Sequence, residues 1–236
     1  MKNVKLEVLV IDIGGTSVKV KATGHQEERK FSSGPKMTPQ MMVNGVKKIT
    51  KGWHYDVISI GCPTLILKGK PVKEPMNLGK GWVGFNYEKA FGHPVKLIND
   101  ATMQALGDYQ GGRMLFLGLG TGLGATIIEE GVIVPLEIAH LPYKKSTFEA
   151  YIGKDFIEKR GKKKWRKQVK KITEIFRAAL EPEEIVIGGG NASIIEEVPI
   201  GCRLAENSNA FIGGFRLWEH PFGKPTAEKR QRKVQK

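Results

Sequence analysis

Two glycine-rich runs are the residues best suited to chemistry: DIGGT, from Asp12 to Thr16, and GLGTGLG, from Gly118 to Gly124. A phosphate oxygen reaches backbone N–H groups only where no Cβ intervenes, and turns that aim successive N–H groups inward use glycine's φ freedom. On that ground Gly14, Gly15 and the Thr16 hydroxyl form one candidate anion cradle, and Gly120, Gly122 and the Thr121 hydroxyl form a second. Taken singly, each is an ordinary tight turn. A dinucleotide fingerprint does not fit GLGTGLG, because that motif opens a helix and here the strand-like ATII follows. Asp12 closes an apolar run, Asp100 follows VKLI, and Gly188, Gly189 and Gly190 follow IVI, so acids and a third glycine cluster stand at strand ends.

The elements that must carry these residues follow from periodicity. Val4 to Ile13 is apolar and β-branched, and Val18 to Ala22 alternates, so GGTS lies at the bend of a β-hairpin. Residues 32–40 form a loop, 39–51 a helix, 56–61 a strand, and 65–75 a hairpin around Gly69. Asn99 or Asp100 caps a helix that Gly111 and Gly112 end, and the strands 113–119 and 124–129 flank the second loop. Trp165, Val169, Ile172 and Phe176 recur at helical spacing, with lysines on the remaining face, up to Pro182. The strand 185–187 then runs into the third glycine cluster, and Ala192 starts a helix. Strands and helices alternate throughout, with hairpins early in each half, which indicates an α/β protein of two related lobes.

Composition narrows the class. The chain has 236 residues and 40% hydrophobic content, enough for one large domain or two small lobes with real cores. No apolar stretch has the length of a membrane span, and the start lacks a signal-peptide cleavage site, so a cytoplasmic location is expected. Cys62 and Cys202 form no metal-binding cluster and are read as reduced, packed thiols. The formal charge of +14 favours a polyanionic partner, and it concentrates in residues 159–171 and in the tail 224–236. Charge alone suggests a nucleic-acid binder, but no recognised module accompanies it.

In order and spacing these elements resemble the sugar kinase, actin and heat-shock ATPase superfamily, and within it the ROK family, closest to its polyphosphate/ATP-dependent glucokinases. The matching stretches are DIGGTSVK (12–19), NLGKGW (77–82), VKLINDATMQALGD (95–108), LGLGTGLGATI (117–127), VPLEIAH (134–140) and IVIGGG (185–190). The resemblance implies two ribonuclease-H-like lobes around a cleft, residues 1–98 and 99–209. It further implies a helix over 210–220 that returns to the N-terminal lobe, followed by a basic tail at 221–236. Each lobe would then grip the phosphate chain with one hairpin.

The resemblance also implies roles. Asp100 is expected to act as general base on a sugar 6-hydroxyl, a role typically worth about 10²- to 10⁴-fold, although its position also suits a helix cap. Asn77, Asn99, Glu137 and His140 are expected to bind a hexose, the last two standing where the family has ExGH and this chain has EIAH. Asp12 would hold Mg²⁺ through water, Lys19 follows the first loop where the family often has a lysine, and Gly188 to Gly190 would approach the donor. ATP and polyphosphate both suit the two loops, and the basic run around Trp165 reads equally as a polyanion guide or a solvated helix face. The family's cysteine-rich zinc knuckle is missing after His140, so no zinc is expected, and Thr64 replaces a family glycine. A non-catalytic sugar-binding regulator is the competing class; its helix-turn-helix domain has no room before Asp12. The resemblance admits a homodimer, and neither a membrane nor nucleic acid is expected as a partner.

Overall fold

The computed structural model describes residues 6–206 and 209–219; the basic tail lies outside them. The described residues divide into two compact units, 6–107 with 209–219, and 108–206.

The first unit is built on a five-stranded sheet. Its strands are β1 (Val8–Ile13), β2 (Ser17–Ala22), β3 (Arg29–Ser32), β4 (Val57–Cys62) and β7 (Val95–Asn99), in the order β3-β2-β1-β4-β7. Between them lie α1 (Pro39–Ile49), the small hairpin β5 (Ile66–Leu67) and β6 (Lys70–Pro71), and α2 (Tyr87–Phe91); α3 (Asp100–Asp108) follows β7. The second unit has β8 (Arg113–Leu119), β9 (Leu123–Glu129), β10 (Val132–Leu136), β13 (Glu184–Gly188) and β14 (Cys202–Leu204), ordered β10-β9-β8-β13-β14. Its remaining elements are a short hairpin, β11 (Pro142–Tyr143) and β12 (Ser146–Thr147), and the helices α4 (Phe148–Ile152), α5 (Lys154–Arg160) and α6 (Lys162–Leu180). The last helix, α7 (Asn209–Arg216), belongs to the first unit.

Each sheet has the same plan: two antiparallel pairings from a meander, then two parallel ones made by crossovers. The two units are thus one design used twice. The glycine loops occupy the equivalent bends, β1–β2 and β8–β9.

Strand periodicity decides what each face of the first sheet holds. Leu9, Ile11 and Ile13 point into a core with Met42, Val46 and Trp82. Val8 and Val10 face the other way, towards Met103, Ala210 and Phe211. Asp12 continues that second row, so an acid stands where the apolar stripe ends. Helix α3 stays with the first unit rather than opening the second, as expected from a boundary at residue 98, because Met103 is part of this core.

Helix α7 is held by contacts that only glycine permits. A Cβ on Gly213 would lie 1.8 Å from the Met103 carbonyl oxygen, and one on Gly107 would lie 1.8 Å from that of Asn209. The buried Ser59 hydroxyl donates to the Gly214 carbonyl (2.6 Å) and accepts from the Trp218 indole N–H (3.0 Å). Two local expectations failed. Ala192 opens only a 3-10 turn, Ala192–Ile194, because its backbone closes on Gly189 and Asn191 and then leaves as extended chain at Ile195. Residues 29–32, left out of the expected strands, pair with β2 as β3.

Because α7 and α3 cross backbone to backbone, Gly213→Ala is expected to destabilise the protein by at least about 2 kcal/mol through overpacking. Urea unfolding checks it; an unchanged midpoint would show that the helices separate at no cost.

Candidate active site

Two carboxylates meet at the carboxyl end of the first sheet. Asp12, at the end of β1, pairs with Lys19 on β2 and Gly61 on β4. Asp100 is the first residue of α3. Gly61 brings them together: a Cβ there would lie 2.4 Å from Met103 Cε and 3.4 Å from Asp100 Cα. The bare backbone of β4 therefore lets α3 settle onto the sheet with Asp100 above it.

The Asn-Asp pair divides its work. Asn99 donates from Nδ2 to the Thr64 carbonyl (3.1 Å), and its Oδ1 accepts the Thr102 N–H (3.2 Å). Its amide thus caps α3 and ties the helix start to the segment after β4. Asp100 Oδ1 accepts the Ala101 N–H (2.9 Å). Burial pushes the Asp100 carboxyl above the usual range, against the lowering effect of backbone hydrogen bonds. Asp12 is raised to about 6, first by burial and then by the nearby negative charge of Asp100; Lys19 acts in the opposite direction. Cys62, on the adjoining strand, is buried and its thiol is also pushed up by burial, so it is a packed and unreactive group.

The first glycine loop presents donors. Ser33 holds it from behind: its hydroxyl donates to the Gly14 carbonyl (2.5 Å), and its N–H donates to that of Thr16 (2.9 Å). Gly14 N–H bonds to Ser17 across the bend (2.9 Å), while the N–H groups of Gly15 and Thr16 have no partner among the described residues. Glycine is required here for closeness and not for φ, contrary to the sequence argument. Neither Gly14 nor Gly15 has positive φ, but a Cβ on Gly15 would press on the Asn77 side chain at 3.3 Å. Asn77 is exposed beside that loop, and its own segment is fixed by Glu74, whose carboxylate accepts the N–H groups of Trp82 (3.0 Å) and Val83 (3.4 Å).

The second loop repeats the arrangement inside the second unit. Asn191 donates to the Leu119 carbonyl from its backbone (2.9 Å) and to the Gly120 carbonyl from its side chain (2.8 Å). Lys154 N–H donates to Thr121 (3.2 Å), and the Glu149 carboxylate accepts the Leu123 N–H (3.1 Å). A Cβ on Gly122 would strike that carboxylate at 2.1 Å. The N–H groups of Thr121 and Gly122 are without partners among the described residues. Gly189 does need its φ of 84°, and a Cβ there would lie 2.4 Å from the Leu119 carbonyl oxygen. Gly188 pairs with Gly118, so the third glycine cluster and the second loop form one continuous surface.

Glu137 and His140 occupy an exposed turn after β10, 3.8 Å apart, with Ala139 buried between them. Such an exposed pair contributes little to stability. Ser33, Gly61, Glu74, Glu149 and Asn191 were all missed in the sequence. Only Asn191, directly after the triple glycine, carried a signal, since the others act across long chain separations.

With the geometry in place, the chain can be set beside known proteins. The ROK family model matches residues 8–135, over half of its length. The chain belongs to the ROK family. Polyphosphate glucokinase of Mycobacterium tuberculosis is 25% identical over 202 residues, 76% of each chain. Among solved structures, the inorganic polyphosphate/ATP-glucomannokinase from Arthrobacter sp. strain KM superposes with a TM-score of 0.76 at 21% identity, over 89% of this chain and 97% of that one. A ROK family transcriptional regulator, homologous to the E. coli MLC protein, superposes at 0.72 and 15% identity, over 92% and 78%. ROK kinases and a ROK regulator share this fold. No helix among the described residues is long and apolar enough to cross a membrane.

The raised Asp12 carboxyl has a measurable consequence. A folded state that holds this proton more tightly than the unfolded chain loses stability as pH rises from about 4 to about 6. Asp12→Asn, which mimics the protonated form, is therefore expected to be more stable than the parent by roughly 1–3 kcal/mol at pH 7.5 and equal to it near pH 4. Urea midpoints at the two pH values check this; a variant no more stable at pH 7.5 would show that Asp12 is not desolvated.

Proposed function

We propose that this protein is a sugar kinase, transferring a phosphoryl group from polyphosphate or ATP to the 6-hydroxyl of glucose or a related hexose. The observation that carries the reading is the Asp100 carboxylate, desolvated, held at a helix start and paired with Asp12. A structural helix cap does not require a second, half-buried acid whose charge it repels. The relatives named polyphosphate glucokinase and polyphosphate/ATP-glucomannokinase support the substrate classes.

In this reading Asp100 accepts the proton of the attacking hydroxyl. Burial raises its pKa, which strengthens it as a base. Asn99 positions it through the α3 cap, while Asn77, Glu137 and His140 contact sugar hydroxyls. The paired free N–H groups at Gly15–Thr16 and Thr121–Gly122 take phosphate oxygens, with the threonine hydroxyls as further donors. Gly188 to Gly190 line the donor side.

Asp12 suits Mg²⁺. No group of three or more His, Cys, Asp or Glu side chains among the described residues forms a metal cage. A magnesium ion in a kinase is held by one or two carboxylates, water and substrate phosphates, and a repelling carboxylate pair fits that pattern. Bound there, it would neutralise charge on the phosphoryl oxygens. Lys19, across from Asp12, supplies part of that neutralisation itself.

A coupled assay with glucose, mannose, fructose and N-acetylglucosamine against ATP and polyphosphate tests the reading. Asp100→Asn is expected to lower turnover about 10²- to 10⁴-fold with sugar binding retained. Near-normal turnover of that variant would refute Asp100 as the base, whereas glucose binding without turnover in the parent protein would place the chain with the non-catalytic regulators.

A further inference from the structure

Helix α6 carries a lysine stripe with a single acid, Glu174, on the same face. Trp165, Val169, Ile172 and Phe176 are buried in the core of the second unit. Lys163, Lys164, Lys167, Lys170 and Lys171 are exposed on the opposite side, and none has a carboxylate at ion-pair distance among the described residues. The spacing from Lys163 to Lys167 and Lys171 keeps them on one face, over about 12 Å of helix. By contrast Arg166, one position from the stripe, is paired with Glu196 and bonded to the Ile194 carbonyl.

Two further observations indicate an anionic occupant. The first turn of α6 holds lysines and no acid, and its cap, Gly161, offers no side-chain acceptor. Cations at the positive end of a helix are unfavourable, so the stripe is built at a cost to the isolated helix. The core face of α6 is linked to the second glycine loop through α4. The Trp165 indole donates to the Ile152 carbonyl at the end of α4 (2.6 Å), and Glu149 of α4 accepts the Leu123 N–H next to the loop tip.

We infer that the exposed face of α6 is a docking track for inorganic polyphosphate, holding the chain beyond the phosphates engaged by the loop at Gly120–Gly122. This rests on the kinase reading for its purpose, though not for its binding test. A nucleic acid suits the face less, since it carries no aromatic ring for stacking: Trp165 is buried and its N–H is engaged. A membrane suits it less because the apolar side of the helix is spent on the core.

The test combines Lys163→Gln, Lys167→Gln, Lys170→Gln and Lys171→Gln in one full-length protein, with circular dichroism to verify folding. For four lysine contacts, counterion release gives a slope of about −3 in log affinity against log salt, or about 50-fold between 50 and 200 mM. The parent is expected to show that dependence for fluorescently labelled long-chain polyphosphate. The variant is expected to bind it at least about 10-fold more weakly at 50 mM salt with a flatter slope. The KM for polyphosphate should rise in parallel while that for ATP moves less than about two-fold. Thermal stabilisation of the parent by polyphosphate, reduced in the variant, is a readout independent of turnover.

Unchanged polyphosphate binding in the variant overturns the inference, as does equally tight, lysine-dependent binding of a single-stranded oligonucleotide of matched charge or of anionic vesicles. ATP-driven turnover without polyphosphate binding overturns it and leaves the kinase reading intact. Lysine-dependent polyphosphate binding without turnover on any donor supports the track and sinks the kinase reading.

Discussion

Two carboxylates that repel one another are kept close in a partly dry corner of the first unit. Nothing local favours this, since burial and like charge both raise the Asp12 pKa and only Lys19 opposes them. The cost is carried by packing elsewhere: α3 rests on the sheet over Gly61, and α7 crosses α3 through Gly107 and Gly213. Asn99 then fixes the first turn of α3 by bonding both to the helix and to Thr64. Removing any of these supports would let water reach Asp100, which would lower its pKa and weaken it as a base.

The glycine loops follow a related logic. In each, the carbonyl oxygens are tied back by a residue distant in sequence, Ser33 for the first and Asn191 with Lys154 for the second. Two adjacent N–H groups are left without partners among the described residues each time, Gly15 and Thr16, then Thr121 and Gly122. Fixing the acceptors inward while leaving donors free gives the loop a positive end before any ligand arrives. Preorganised donors of this kind need no rearrangement when charge develops on a phosphoryl group.

Much of this was legible in the sequence because it is periodic or local. Alternation identified β1 and β2, the 3.6-residue recurrence of Trp165, Val169, Ile172 and Phe176 identified α6, and the strand after GLGTGLG excluded a dinucleotide fold. What sequence could not give was contact across long separations. Gly61 reads as the end of a strand, yet its bare backbone leaves room for Met103 and Asp100 of α3. Glu149 reads as a helix-cap neighbour, yet it braces Gly122. The glycines of both loops were singled out for φ freedom as well as for the lack of a Cβ; in the structure φ freedom matters at Gly189, and close approach matters at Gly15 and Gly122. Helix α6 shows the converse, because its lysine pattern was visible but its lack of acidic partners was not.

The most direct measurement of the carboxylate pair is a ¹³C NMR titration of labelled aspartate side chains, assigned with Asp12→Asn and Asp100→Asn proteins. The expected result is an Asp12 carboxyl that titrates near 6 and moves down when Asp100 is replaced, with Asp100 itself above the usual range. Two resonances titrating near 4, neither responding to loss of the other, would mean that the acids are separate and solvated, and the case for Asp100 as a positioned base would fail.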